Sequence, residues 1–223
     1  MSDGEEGGNC SNCAPHSGQH WKFSECAGKW ITESNYHSQF HFERSNSYFY
    51  HSHLQNTGRE WEVLRIGMCD GLKQLPECLG ELCSLRTLHV EWLPKIKSLP
   101  QSLQHQHLTS LEDLRIHACH ALHELPEWLG DHGMESLASL EKLCISRLGG
   151  IGSLPEGIKG FTALKKLEII DCQGIKSLPE GIKCLTTLKK LVIKKCPDLA
   201  RRYEEGKGKD WHPISHIPDV RID

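Results

Sequence analysis

No run of apolar residues in this 223-residue chain approaches the roughly 20 that a helix needs to cross a bilayer. The opening, Met-Ser-Asp-Gly-Glu-Glu, has neither the basic stretch nor the apolar core of a secretory signal. The expectation is a cytoplasmic protein with reduced thiols and no membrane partner. Phosphate-binding chemistry is missing as well. No G-x-x-x-x-G-K-(S/T) occurs, and the steps Gly206-Lys207 and Gly208-Lys209 lack both the hydroxyl residue and the upstream glycine spacing. Neither G-x-S-x-G nor H-E-x-x-H is present, and histidines such as His117, His120 and His123 have no paired nucleophile. The reading is a non-enzyme with no cofactor and no catalytic residue. Calorimetry at micromolar ATP should show no saturable binding; a binding isotherm would contradict this.

What the chain does have is repetition. The phrase L-x-x-L-x-(I/V) begins at Leu85, Leu111, Leu140, Leu164 and Leu188, with a first copy at Trp61. The spacings are 24, 26, 29, 24 and 24 residues, which is the period of a leucine-rich repeat. Leu-Pro follows the first five copies at Leu75-Pro76, Leu99-Pro100, Leu125-Pro126, Leu154-Pro155 and Leu178-Pro179. The turns beginning at Leu140 and Leu164 agree at 14 of 24 positions.

Each turn reads as a short strand followed by an irregular return. Leu164, Leu167 and Ile169 point inward while Lys166 and Glu168 alternate outward. Cys172, Ile175, Leu178, Ile182 and Leu185 come back to the core, and Pro179 blocks a regular helix on that side. One turn cannot hide its own apolar edges, so stacking must hide them. The predicted fold is an α/β solenoid, a curved leucine-rich-repeat domain. Six parallel strands line its concave face, with irregular or short helical segments on the convex side. The longer turns carry extra residues around Gln104–His107 and Asp131–Ser136, placed where they leave the strands in register. The expected organisation is a disordered extension over 1–35, a degenerate repeat or N-terminal cap over 36–60, repeats over 61–203 and a C-terminal cap over 204–223. Trp211, Ile214, Ile217 and Val220 are the apolar residues left to cover the last edge.

Of the 11 cysteines, Cys69, Cys119, Cys172 and Cys196 share the ninth position of their repeats, where Leu93 and Leu148 stand in two others. A slot that takes Cys or Leu is a packing slot. The cluster Cys10, Cys13, His16 and His20, with Cys26 beyond, has soft ligands near zinc spacing. Its second Cys and first His stand too close for a finger with a hairpin between, and Gly, Ser and Asn surround it, so no metal site is assigned. The same holds for the tract of His37, His41, His51 and His53.

Charge is uneven along the chain. Residues 159–210 hold 13 Lys and Arg against 7 acids, and 61–158 hold 8 against 13. Opposite signs at two ends can orient a partner, or can serve solubility alone. The outward concave positions expected to touch a protein partner are Arg65, Met68, Arg86, His89, Trp92, Arg115, His117, Lys142, Arg147, Lys166, Glu168, Ile170, Lys190, Val192 and Lys194. The C-terminal lysines among them form the expected basic contact region, with Glu168 and Asp171 the nearby acids. Trp92 and Arg86 are of the residue types that dominate interface energy, although Trp92 precedes Leu93-Pro94 and can instead pack. No nucleic-acid partner is expected.

Repeats of the form L-x-x-L-x-I-x-x-C-x-x-L-x-x-L-P, with Cys69, Cys119, Cys172 and Cys196, resemble the repeat region of plant intracellular nucleotide-binding disease resistance proteins. The ending KKCPDLARRYEEGKGKDWHPISHIPDVRID, residues 194–223, is similar to that of grass-type members. The resemblance implies recognition of pathogen effectors or monitored host proteins, and restraint of a nucleotide-binding switch. The chain carries no such switch domain and departs from the family over residues 1–30. The alternative is a stand-alone intracellular scaffold joining two proteins.

Overall fold

A computed structural model describes residues 62–68, 70–75, 79, 84–104, 108–125 and 137–223, together with strands β1 (Trp21–Lys22) and β2 (Trp30–Ile31), which pair antiparallel. The expectations for the rest of 1–60, among them the Cys10–Cys26 cluster, lie outside the described residues, as do Cys69 and the insertions at 105–107 and 131–136.

Among the described residues, seven strands form one parallel sheet in chain order: β3 (Val63–Gly67), β4 (Thr87–Glu91), β5 (Asp113–His117), β6 (Lys142–Ser146), β7 (Lys166–Ile170), β8 (Lys190–Lys194) and β9 (Asp219–Ile222). The chain is a leucine-rich-repeat solenoid. Leu88, Leu114, Leu143, Leu167 and Leu191 are in register, as are Val90, Ile116, Ile145, Ile169 and Ile193, and all ten are buried. Neither long turn shifts this register. A one-residue slip would turn every Leu of a strand onto the wrong face, so the alternation itself fixes the pairing.

The return segments use tight turns where Pro forbids a regular helix. Pro155 and Pro179, both extended, open 3₁₀ turns at Glu156–Gly160 and Glu180–Cys184. Both oxygens of the Glu156 carboxylate accept bonds from the N–H groups of Glu180 and Gly181 at 3.3 Å, tying one return to the next. The repeat phrase accounts for six strands. The seventh, β9, comes from the tail: after β8 the chain makes the helix α1 (Pro197–Arg202) and a turn at His212–Ile214, then returns parallel to β8. Ile214 and Ile217 are buried, while Trp211, Val220 and Ile222 pack partly buried against the core.

The ninth-position thiols are buried at Cys119, Cys172 and Cys196. Each donates weakly to strand-end carbonyls: Cys172 Sγ lies 3.5 Å from Ile170 O and 3.8 Å from Ile145 O, and Cys196 Sγ lies 3.2 Å from Lys194 O. Cys suits this slot because it fills space like a small hydrophobe and still meets carbonyls that a Leu cannot. Burial pushes the Cys119 and Cys172 thiols up to about 11. In peptide-mapped alkylation at neutral pH, exposed Cys184 should label quickly while Cys119, Cys172 and Cys196 label only on unfolding. Cys172→Ala should cost about 1 kcal/mol. Fast labelling of Cys172 in the folded chain would contradict the assignment.

Candidate protein-recognition surface

Strand alternation gives the concave face three rows. The entry row runs Val63, Thr87, Asp113, Lys142, Lys166, Lys190 and Asp219; the middle row Arg65, His89, Arg115, Cys144, Glu168, Val192 and Arg221. The exit row runs Gly67, Glu91, His117, Ser146, Ile170 and Lys194.

A fourth row follows the strands: Met68, Trp92, Ala118, Arg147, Asp171 and Lys195. All six are left-handed, with φ between 52° and 54°, although none is glycine. That conformation costs about 1–2 kcal/mol for a residue with a Cβ. An extra rung of the ladder offsets it: the first five of these N–H groups donate to the last carbonyl of the next strand, as in Trp92 to His117 O at 2.8 Å and Arg147 to Ile170 O at 2.9 Å, and Lys195 donates to Asp223 O, just past β9, at 3.2 Å. The chain turns off the sheet at this residue, and the row becomes a rim. Trp92 and Met68 stand on it, 42% and 39% exposed, the exposed large hydrophobic side chains among the described residues.

Trp92 is held in place. The His117 ring meets it edge-on, with centroids 5.2 Å apart at 72°, and the Arg147 guanidinium lies 5.8 Å from its centroid. In the fourth row the intervening residue is Ala118, buried, whose methyl leaves room for Trp92 and Arg147 to meet. His117 Nδ1 is hydrogen-bonded to the buried Ser146 hydroxyl at 2.7 Å. Burial, then the charge of Arg147, lowers the His117 pKa against an opposing pull from Glu91.

Beside this cluster lies a charged network. His89 is buried, with Nδ1 3.7 Å from Glu91 Oε1 and Nε2 3.7 Å from Asp113 Oδ1. Arg115 grips Asp113 with two bonds of 3.1 Å. Burial pushes the Asp113 carboxyl up, but His89 and Arg115 together outweigh it and hold the group well below the usual carboxylate range. Its folded pKa is therefore below its unfolded one, so its stabilisation is complete above about pH 4–5 and is lost as pH falls through the folded value. Asp113→Asn should flatten the acid limb of the stability curve below about pH 4 relative to the parent. Parallel limbs would show that the pairing contributes nothing.

The structure corrects three expectations for the contact surface. His89 and Val192 lie in the middle row but are only 5% and 4% exposed, which leaves little of either for a partner to touch. Arg86 precedes β4, at the other end of the strand from Trp92, and is paired with Glu112. The basic C-terminal region is largely cancelled: Lys166 pairs with Glu168 at 2.9 Å, Lys190 with Asp219 at 3.0 Å and Lys194 with Asp223 at 3.1 Å. Spacing does not place Asp219 and Asp223 beside Lys190 and Lys194, because the tail has no repeat phrase to set it against β8. Glu91, Asp113 and Ser146 are outward by the same alternation that selects Arg115, and they belong to the rows beside it.

The family described as "Plant disease resistance protein RPS2-like, leucine-rich repeats" matches residues 64–201. The chain belongs to this family. Among solved structures it is similar to the leucine-rich repeat domain of the type III effector XopL, at 24% identity over 73% of this chain and 69% of that one, with a TM-score of 0.47. It is similar also to a leucine-rich-repeat protein of Leptospira interrogans, at 24% identity over 69% of this chain and 34% of that one, with a TM-score of 0.48. The plant peptide hormone receptor RGFR1, solved in complex with RGF2, is 20% identical over 62% of this chain and 27% of that one, with a TM-score of 0.38. In this plant resistance-type repeat region, no helix among the described residues is long and apolar enough to cross a membrane.

Proposed function

We propose that this chain recognises a protein through its concave face as the sensing part of a cytoplasmic plant resistance protein. In that role it binds a pathogen effector or a monitored host protein, and it docks against a nucleotide-binding switch to hold it inactive. The observation that carries the reading is the contrast between the two sides of each strand. Inward positions repeat the same Leu and Ile, whereas the middle outward row mixes cationic, anionic, polar and apolar residues from strand to strand, with Arg65, Arg115 and Glu168 reaching the surface. Packing demands uniformity of the first set and demands nothing of the second, so the information for partner choice resides in the second.

An interaction screen of the whole chain against plant and pathogen proteins tests this, run in parallel with Arg115→Glu/Glu168→Lys on the concave face and Lys176→Glu on the return side. Partners lost with the concave variant and kept with the other are expected. Partners indifferent to both would refute concave-face recognition. A nucleotide-binding domain among them favours the receptor role; two unrelated proteins held at once favours the stand-alone scaffold.

A further inference from the structure

We propose that the rim patch of Met68, Trp92 and Arg147, flanked by Arg65, docks an acidic protein segment whose large apolar side chain packs on Trp92. This rests on the protein-recognition reading above and names the place and chemistry of the contact. Subtraction of internal pairing locates it. On the concave face Arg115, Lys166, Lys190, Lys194 and Arg221 each have a carboxylate within 3.1 Å. Arg65 makes no hydrogen bond or ion pair among the described residues. Arg147 has only Asp171 at 3.9 Å, too long for a hydrogen bond, so its planar donors remain open. Lys142, at the entry end of β6, and Lys195, in the rim row after β8, also have no carboxylate partner among the described residues, and both stand away from the aromatic cluster.

The open guanidinium groups therefore gather where the exposed apolar side chains are. Arg65 and Met68 belong to the first described repeat, Trp92 to the next, and Arg147 reaches Trp92 across Ala118. Glu91 and Asp171 are the acids of the neighbourhood, facing His89 at 3.7 Å and Arg147 at 3.9 Å. Neither saturates a guanidinium. The patch is preorganised: backbone rungs fix the left-handed positions, and His117 and Arg147 restrict the Trp92 ring. A partner then orders few side chains on this surface when it binds. An incoming carboxylate can take a two-pronged bond from Arg147, and the adjacent apolar side chain covers Trp92 and Met68, an arrangement typical of interface anchors.

The test is selection of phage-displayed random twelve-residue peptides on the whole chain, followed by affinity measurement on variants with unchanged melting temperature. Ala at the equivalent left-handed position 118 and Asp at 171 indicate that Trp92→Ala and Arg147→Glu fold. The expected result is enrichment of Asp or Glu beside Trp, Phe or Leu. Binding should weaken at least about tenfold with Trp92→Ala and with Arg65→Glu/Arg147→Glu, and stay within about twofold with Lys190→Gln/Lys194→Gln. Enrichment of basic peptides, or no enrichment, overturns the proposal. Peptides lost with the lysine variant but kept by Trp92→Ala overturn it while leaving concave recognition intact. Peptides indifferent to every concave substitution defeat both readings.

Discussion

Cutting the chain after Tyr203 should lower its stability by about 3–6 kcal/mol from the burial of Ile214 and Ile217 alone. Loss of the contacts of Trp211, Val220 and Ile222 adds to this, since all three pack against the same end of the core. The ion pairs of Asp219 and Asp223 with Lys190 and Lys194 are half-exposed and add little. The larger consequence is the uncovering of β8, which would become an edge strand with its inward Leu191 and Ile193 losing their neighbours in β9. In a solenoid each turn touches only the next, so unfolding should start there and spread inward. At about 2–4 °C per kcal/mol, the melting temperature should fall by roughly 10 °C or more, and hydrogen exchange in β8 should lose protection before that in β5. An unchanged melting temperature would show that the tail does not close the solenoid.

Phe161→Ala should cost about 3–5 kcal/mol, and Phe161→Leu less than about 1.5 kcal/mol. Phe161 is the largest of the fully buried side chains among the described residues. It ends the 3₁₀ turn at Glu156–Gly160, donating its N–H to Ile158 O at 3.0 Å, and occupies the slot that Leu108, Leu137 and Leu185 fill in other repeats. Removing the ring opens a cavity in the interior of the stack, where neither neighbouring turn can collapse without shifting its own strand. Leu is the residue the other repeats already accommodate there. Chemical denaturation of both variants measures the difference; equal losses would mean that shape at this slot, not volume, sets the cost.

The core was legible because one periodicity controls it. Leu164, Leu167, Ile169, Cys172, Ile175 and Leu178 were assigned inward from spacing alone, and all are buried. Stacking requires every repeat to present the same inward set, so a single chain contains several copies of the same message. The outward face carries no such redundancy. Alternation puts Arg65, His89, Arg115, Glu168 and Val192 in one register row but does not say how far each is covered, and His89 and Val192 are buried.

By itself, then, the sequence determined the repeat, the parallel sheet, the inward residues and the slot that takes Cys or Leu, because local spacing and the need to hide apolar edges leave no other solution. Only the tertiary structure decided which outward charges remain open. The tail returns as β9 and sets Asp219 and Asp223 against Lys190 and Lys194, although those partners stand 29 residues apart in both pairs. The left-handed residue after each strand brings Arg147 onto Trp92 across an intervening repeat. Both are contacts between distant segments, and their energy depends on distances that spacing along the chain does not encode.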